Sequence, residues 1–212
     1  MVVADAEAIA GILARTYPDA RCELQARDDW ELLVAVILSA RTSDQQVNKV
    51  MAVLAEHLVG VEAYARMDIR RLSRLIARVP LYPQKARAIV EAARRIVRQH
   101  QGQVPTTLRE LTALPGVGPK TAAVVAGNPI GIPAVAADVH VQRIVRRFGW
   151  TSREHAGEAE RAVMDRLPPQ HWTVLSHRLI RLGREHCRPR EPRCDRCPVA
   201  SLCPRVGILP AA

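Results

Sequence analysis

Apolar residues recur every three to four positions along most of the chain, and no stretch alternates in steps of two. That period belongs to helices with one buried face. Residues 4–16 carry Ile9, Ile12 and Leu13 at helical spacing, and Pro18 closes the segment. Asp28 and Asp29 then cap WELLVAVILSA, which is apolar on nearly every side and predicts a central, buried helix. Ser43 and Gln46 form a capping box, and Val47, Val50, Val53, Leu54 and Leu58 predict the inner face of the next helix. Shorter helices are expected at 61–66 and 69–78, the second capped by Asp68. The stretch 83–100 turns Ile89, Ala92 and Ile96 inward and its arginines outward. Thr107 and Glu110 form another capping box, opening a short helix with Leu108, Leu111 and Leu114 on one face. Asp138 suits the N-cap of a helix over Val139–Arg147, Thr151 and Glu154 predict a further capped helix, and 171–187 reads as the last long one. The chain is expected to be all-α.

One stretch, LPGVGPKTAAVV at 114–125, does more than continue the pattern. Pro115 stops the preceding helix, and Gly116 and Gly118 can take positive φ without a Cβ clash, so the chain can reverse in a few residues. Pro119 suits the first position of a second helix whose apolar side is Ala122, Val125 and Ala126. The product is a helix, a tight hairpin and a helix, with backbone N–H groups beside the positive end of the second helix. Such an arrangement can hold a phosphate without a side-chain charge. A bare PGxG would support nothing beyond an ordinary helix–turn–helix connection.

Charge sharpens this. The formal net charge is +10 and the pI about 10.2, which favours a polyanionic partner, and residues 178–205 hold eight arginines against three acids. The basic residues are 28 arginines and three lysines, Lys49, Lys85 and Lys120. An arginine cannot serve as a neutral amine, so a reaction needing one must retain a lysine. No signal peptide, membrane-length apolar run or lipidation motif is visible, and a cytoplasmic, nucleoid-associated protein is expected. Four of the five cysteines, Cys187, Cys194, Cys197 and Cys203, follow C-x6-C-x2-C-x5-C and read as metal ligands. Structural zinc usually takes two close pairs, and only Cys194 with Cys197 qualifies. Single, spaced cysteines suit the separated corners of an iron–sulfur cubane better. Cys22 is left over as a buried or free thiol.

LPGVGPKTA resembles the helix-hairpin-helix of the base-excision DNA glycosylases, the superfamily that includes endonuclease III. WELLVAVILSARTSDQQVNK, VPLYPQKARAI, GIPAVAADVHVQRIVRRFG and the GRxxC cysteine run are similar to further segments of that family, so the likeness spans about residues 28–203. It implies two helical domains: a six-helix domain at 21–133 containing the helix-hairpin-helix at about 107–127, and a discontinuous cluster domain from 1–20 and 134–212. It implies a 4Fe–4S cluster on Cys187, Cys194, Cys197 and Cys203 in a basic loop at 187–203. By position, Lys120 is the catalytic nucleophile and Asp138, with seventeen residues between the two, its carboxylate partner. Gly116, Gly118, Thr121, Arg41, Leu81 and His140 are the DNA-contact candidates. Arg41 stands where the family usually has glutamine, Pro80 where glycine is usual, and Val139 where threonine is usual. Leu81 is read either as a wedge in the duplex or as a plain core leucine.

The implied function is removal of oxidised pyrimidines from duplex DNA by a monomeric glycosylase with abasic-site lyase activity. The base must be flipped out to be reached. Lys120 then attacks the sugar C1′, forms a Schiff base, and β-elimination cuts the strand. An attacking amine must be neutral. A helix N-terminus supplies at most about 2 kcal/mol toward that, and desolvation over DNA supplies the rest. Asp138 is assigned to the cationic sugar and to proton transfer. Two other readings stand beside it. One is a mismatch-type glycosylase, which lacks the lysine. The other is a catalytically silent module that binds damaged DNA, suggested by Arg41 and Pro80.

Overall fold

The computed structural model describes residues 3–128 and 130–208. Among these there is no strand. In chain order the α-helices are α1 (Ala6–Thr16), α2 (Asp29–Ser39), α3 (Asp44–His57), α4 (Gly60–Arg66), α5 (Ile69–Leu75), α6 (Tyr82–Gln99), α7 (Leu108–Ala113), α8 (Pro119–Gly127), α9 (Val139–Arg147), α10 (Ala156–Met164) and α11 (Trp172–Glu185). Single 3₁₀ turns occupy Pro169–His171 and Cys194–Arg196. The chain divides into a contiguous unit, Glu23–Ile132, and a discontinuous one that joins the residues up to Cys22 to those from Pro133 onward.

The contiguous unit is built on α2. Asp28 accepts from the Glu31 amide at 2.7 Å, and every residue from Trp30 to Leu38 is buried, Glu31 included. Arg27 satisfies that carboxylate through its own amide at 2.8 Å and through its guanidinium. α6 packs on α4 and α5 through Ile89, Ala92 and Ile96, while α7 and α2 pack on α8. Trp30 meets Tyr64 edge-on, with ring centroids 5.2 Å apart. Each fully buried leucine or isoleucine here, such as Leu33, Leu72 or Ile89, stabilises the fold by about 1.5–3 kcal/mol.

In the discontinuous unit α1 packs on α11, and α9 packs on α10 and α11. Ile9, Leu13, Val141, Ile144, Phe148, Leu179 and Leu182 form its centre. The first described residues are pinned by backbone bonds: Ala4 N–H donates to Phe148 O at 3.0 Å, and Trp150 Nε1 donates to Ala4 O at 2.8 Å.

Several local expectations need correction. Val53 is exposed, because it sits six residues beyond Val47, on the far side of α3, while Met51 takes its place inside. Leu108, the first residue of α7, is exposed; burial begins one turn later at Leu111. Thr151 and Glu154 do not cap a helix. Thr151 Oγ1 instead accepts from Arg153 N at 3.3 Å and bonds Glu158, Glu154 pairs with Arg146, and α10 starts at Ala156 behind an uncapped His155. The 69–78 helix ends at Leu75.

Candidate functional site

Three groups of residues carry chemistry. The first is the hairpin between α7 and α8. Thr107 Oγ1 accepts from Glu110 N at 3.2 Å and donates to the Glu110 carboxylate at 2.6 Å, which caps the start of α7. The turn closes where Val117 N–H donates to Leu114 O at 3.2 Å. Gly116 has φ +75°, and a Cβ there would lie 2.6 Å from the Ala88 Cβ of α6. The hairpin is therefore seated on α6, and only glycine fits the seat. Gly118 departs from the expected positive φ: it is extended, at φ −86° and ψ 174°. The cause is Pro119, whose ring forces the preceding residue into the extended region. No atom lies within 4 Å of where a Gly118 Cβ would be, so the backbone is open to close approach there. Pro119, Lys120 and Thr121 form the first turn of α8; Lys120 is exposed at the positive end of the helix and Thr121 is half-buried.

The second group lies on two loops of the same unit. Arg41 (φ +63°) and Leu81 (φ +59°) both hold left-handed backbone, which non-glycine residues adopt only when their surroundings enforce it. Both are exposed, Leu81 at 46%, so Leu81 is not a core leucine. Lys85 makes hydrogen bonds beside both. Only 6% exposed, it donates from Nζ to Leu38 O at 2.8 Å and Ala40 O at 2.6 Å, while its amide donates to Leu81 O at 3.1 Å. One residue thus caps the carbonyl end of α2 ahead of Arg41 and opens α6 behind Leu81. Burial lowers the Lys85 pKa.

The third group is on the discontinuous unit. Asp138 caps α9, with Oδ1 accepting from the His140 and Val141 amides at 2.8 and 3.0 Å. His140 is packed between α9 and α11: its Nδ1 lies 3.0 Å from Arg143 Nη2, and a Cβ on Gly183 would fall 2.6 Å from that same nitrogen. Arg143 Nε donates to Cys187 O at 3.0 Å. One turn on, Arg147 donates to Cys187 Sγ at 3.1 Å, Arg188 O at 2.7 Å and Pro189 O at 3.1 Å. Both arginines are 6% exposed. Cys187, Cys194, Cys197 and Cys203 line one pocket, and Cys22 is not among its lining residues. Burial, reinforced by the neighbouring cysteines, pushes the Cys197 thiol up to about 11, and burial likewise raises Cys203. Thiols so placed keep their protons until a metal displaces them.

Four contributors escape a reading of the sequence. Lys85 had only the scarcity of lysine as a signal. Arg143 and Arg147, four apart in VHVQRIVRR, look like a solvated stripe, and their burial depends on the loop after α11. Gly183 inside α11 is explained by the imidazole against it.

Residues 34–169 match the HhH-GPD superfamily of base excision DNA repair proteins. The chain is 40% identical over 190 residues to endonuclease III of Bacillus subtilis (strain 168), covering 88% of this chain and 86% of that one. It is 34% identical over 191 residues to endonuclease III of Escherichia coli (strain K12), covering 90% of each. Its fold is similar to a trapped endonuclease III–DNA covalent intermediate in an estranged-adenine complex, with TM-score 0.88 and 37% identity over 94% of this chain and 96% of that one. A non-covalent endonuclease III–DNA complex superposes equally well, at TM-score 0.88 and 38% identity over 94% of each chain. A hairpin seated on α6, a lysine behind it, an aspartate that caps α9 and a four-cysteine pocket thus coincide with sequence likeness over most of the chain, which belongs to the HhH-GPD superfamily of base excision DNA repair proteins and, within it, to the endonuclease III family.

Proposed function

We propose that the chain is a DNA glycosylase with abasic-site lyase activity, releasing oxidised pyrimidines from duplex DNA and cutting the strand beside the site. The observation that carries this is Lys120, exposed in the first turn of α8 directly behind a hairpin whose backbone is open at Gly118. The hairpin amides and the positive end of α8 suit a DNA phosphate. Arg41 and Leu81, held out in left-handed backbone, suit entry into the duplex as the base is extruded. Lys120, as the free amine, attacks C1′. The C1′–base bond breaks and its electron pair leaves with the base; the C1′–O4′ bond then opens, O4′ takes a proton, and the amine is left as a Schiff base. Removal of a C2′ proton then expels the 3′ phosphate. Asp138, oriented by its bonds to the His140 and Val141 amides, is assigned to the cationic sugar and to proton transfer. The likeness to an endonuclease III solved as a trapped covalent intermediate with DNA supports the covalent route.

The cysteines fit a 4Fe–4S cluster. Among the described residues no group of three or more His, Cys, Asp or Glu is gathered for a single metal ion, yet all four cysteines share one pocket. Four sulfurs around one pocket, with an arginine donor on one of them, suit a group whose irons lie at separated corners. When bound, the cluster would cross-link the loop 187–203 and hold its arginines in place. The discontinuous unit is then the cluster domain.

Borohydride trapping on a duplex with an abasic site tests the assignment. The unmutated chain should give a covalent adduct. Lys120→Gln should lose trapping and strand cleavage while still binding DNA, and Lys120→Arg should be equally inactive, because a guanidinium never becomes a free amine. Undiminished trapping by Lys120→Gln would assign the lyase step to another amine. No trapping by the unmutated chain would favour the silent module.

A further inference from the structure

We propose that His186 donates a hydrogen bond from Nδ1 to a sulfur of the cluster site and thereby raises the cluster's reduction potential. The inference rests on the cluster reading above and concerns a residue outside the cysteine pattern. His186 follows α11 and is fixed from both sides: its amide donates to Leu182 O at 2.9 Å, and its carbonyl accepts from Arg188 N and Arg193 N, each at 2.9 Å. Its ring lines the same pocket as the four cysteines. Nδ1 is fully buried and has no hydrogen-bond partner; among the described residues only Trp30 Nε1 shares that condition.

A buried polar atom left without a partner calls for one, and an unplaced group beside it is a common reason. The orientation of the ring narrows the choice. Nε2 lies 3.9 Å from the Glu185 carboxylate, which leaves Nδ1 as the nitrogen without a neighbour. Apart from the cysteines, the side chains lining the pocket are apolar or belong to arginines, and a guanidinium only donates. Among the side chains of the pocket the acceptors are therefore the sulfurs, and a bond to one of them places the proton on Nδ1. Arg147 on Cys187 Sγ shows the same kind of contact from a different element. A donor on a sulfur favours the more negative, reduced cluster over the oxidised one, so it raises the potential.

The test uses the full chain, purified without air and assayed for iron and acid-labile sulfide, followed by a spectroelectrochemical titration. His186→Phe keeps the ring and removes the donor. At a fixed potential its ratio of oxidised to reduced cluster should rise about tenfold, ~59 mV for a one-electron couple. His186→Asn places an amide N–H close to the Nδ1 position and should restore most of the difference. Pulsed electron paramagnetic resonance on the unmutated chain with ¹⁵N-histidine gives a readout independent of any variant's folding. One histidine nitrogen should couple to the paramagnetic cluster, and that coupling should vanish in His186→Asn. An unchanged potential in an iron-loaded His186→Phe, or no histidine coupling in the unmutated chain, would overturn the role of His186 and leave the cluster standing. Stoichiometric zinc without iron would overturn the cluster reading itself.

Discussion

Gly116 and Gly118 look alike in the sequence and differ in the structure, and that difference can be measured. Replacing Gly116 by alanine forces a side chain into left-handed backbone at φ +75°, at a cost of roughly 1–2 kcal/mol. The new methyl would also sit 2.6 Å from Ala88 Cβ. Carbon atoms prefer about 3.5–4.0 Å, so the hairpin must lift from α6 by about 1 Å. Overpacking of that kind costs about 1–3 kcal/mol. The sum is about 2–5 kcal/mol, and at about 2–4 °C per kcal/mol the melting temperature should fall by about 4–20 °C. Gly118→Ala meets neither obstacle: its φ of −86° suits alanine and no atom lies within 4 Å. A gain of about 0.4–1 kcal/mol from the unfolded chain roughly offsets the poorer N-cap. The two variants should therefore separate in thermal melts followed by circular dichroism and converge in DNA binding. Anisotropy with a duplex carrying an uncleavable abasic analogue should show weakening in both, Gly116→Ala through a displaced hairpin and Gly118→Ala through a methyl on the approach side. A Gly116→Ala protein that melts within about 2 °C of the unmutated chain, a shift worth no more than about 1 kcal/mol, would refute the seating on α6.

Two further outcomes follow from the buried cations. Lys85→Met leaves Leu38 O and Ala40 O without their donor, at about 1–3 kcal/mol for an unsatisfied buried group. Amide hydrogen exchange should quicken at residues 40–42, and unchanged protection there would mean that the Lys85 side chain does not hold the end of α2. Arg147→Met strips donors from Cys187 Sγ, Arg188 O and Pro189 O, so limited proteolysis should cut the 187–203 loop several times faster than in the unmutated protein, and equal half-lives would rule the arginine out as its anchor.

Much of the architecture was legible because it is local. Helical spacing, the capping residues Asp28, Ser43, Asp68, Thr107 and Asp138, and the prolines near helix ends are set by neighbours within a few residues, and the helices start where those caps stand. Thr151 failed as a cap for an equally local reason, since its hydroxyl serves a turn two residues on. What could not be read depends on distant partners. Lys85 is buried because the carbonyl end of α2 lies beside it, 45 residues away in sequence from the Ala40 it bonds. Arg147 is buried because Cys187 lies 40 residues on. Gly118 shows a different limit: glycine permits positive φ, and Pro119 decided against it.

The division of the chain sets a timetable for its synthesis. The contiguous unit, Glu23–Ile132, is complete as soon as its own residues have left the ribosome. α1 emerges first, but the surface that receives Ile9 and Leu13 includes α11, and Ala4 waits for Phe148 and Trp150. At about 5–20 residues per second, the stretch between α1 and the end of α11 takes on the order of ten to thirty seconds to make. An eleven-residue helix is marginal alone in water, so α1 spends that interval largely as coil and does not present a fixed apolar face to other nascent chains. α1, made before the central unit, is thus docked after that unit has formed, and a ribosome that has released Ile132 but not yet made α11 would carry a folded centre with α1 undocked.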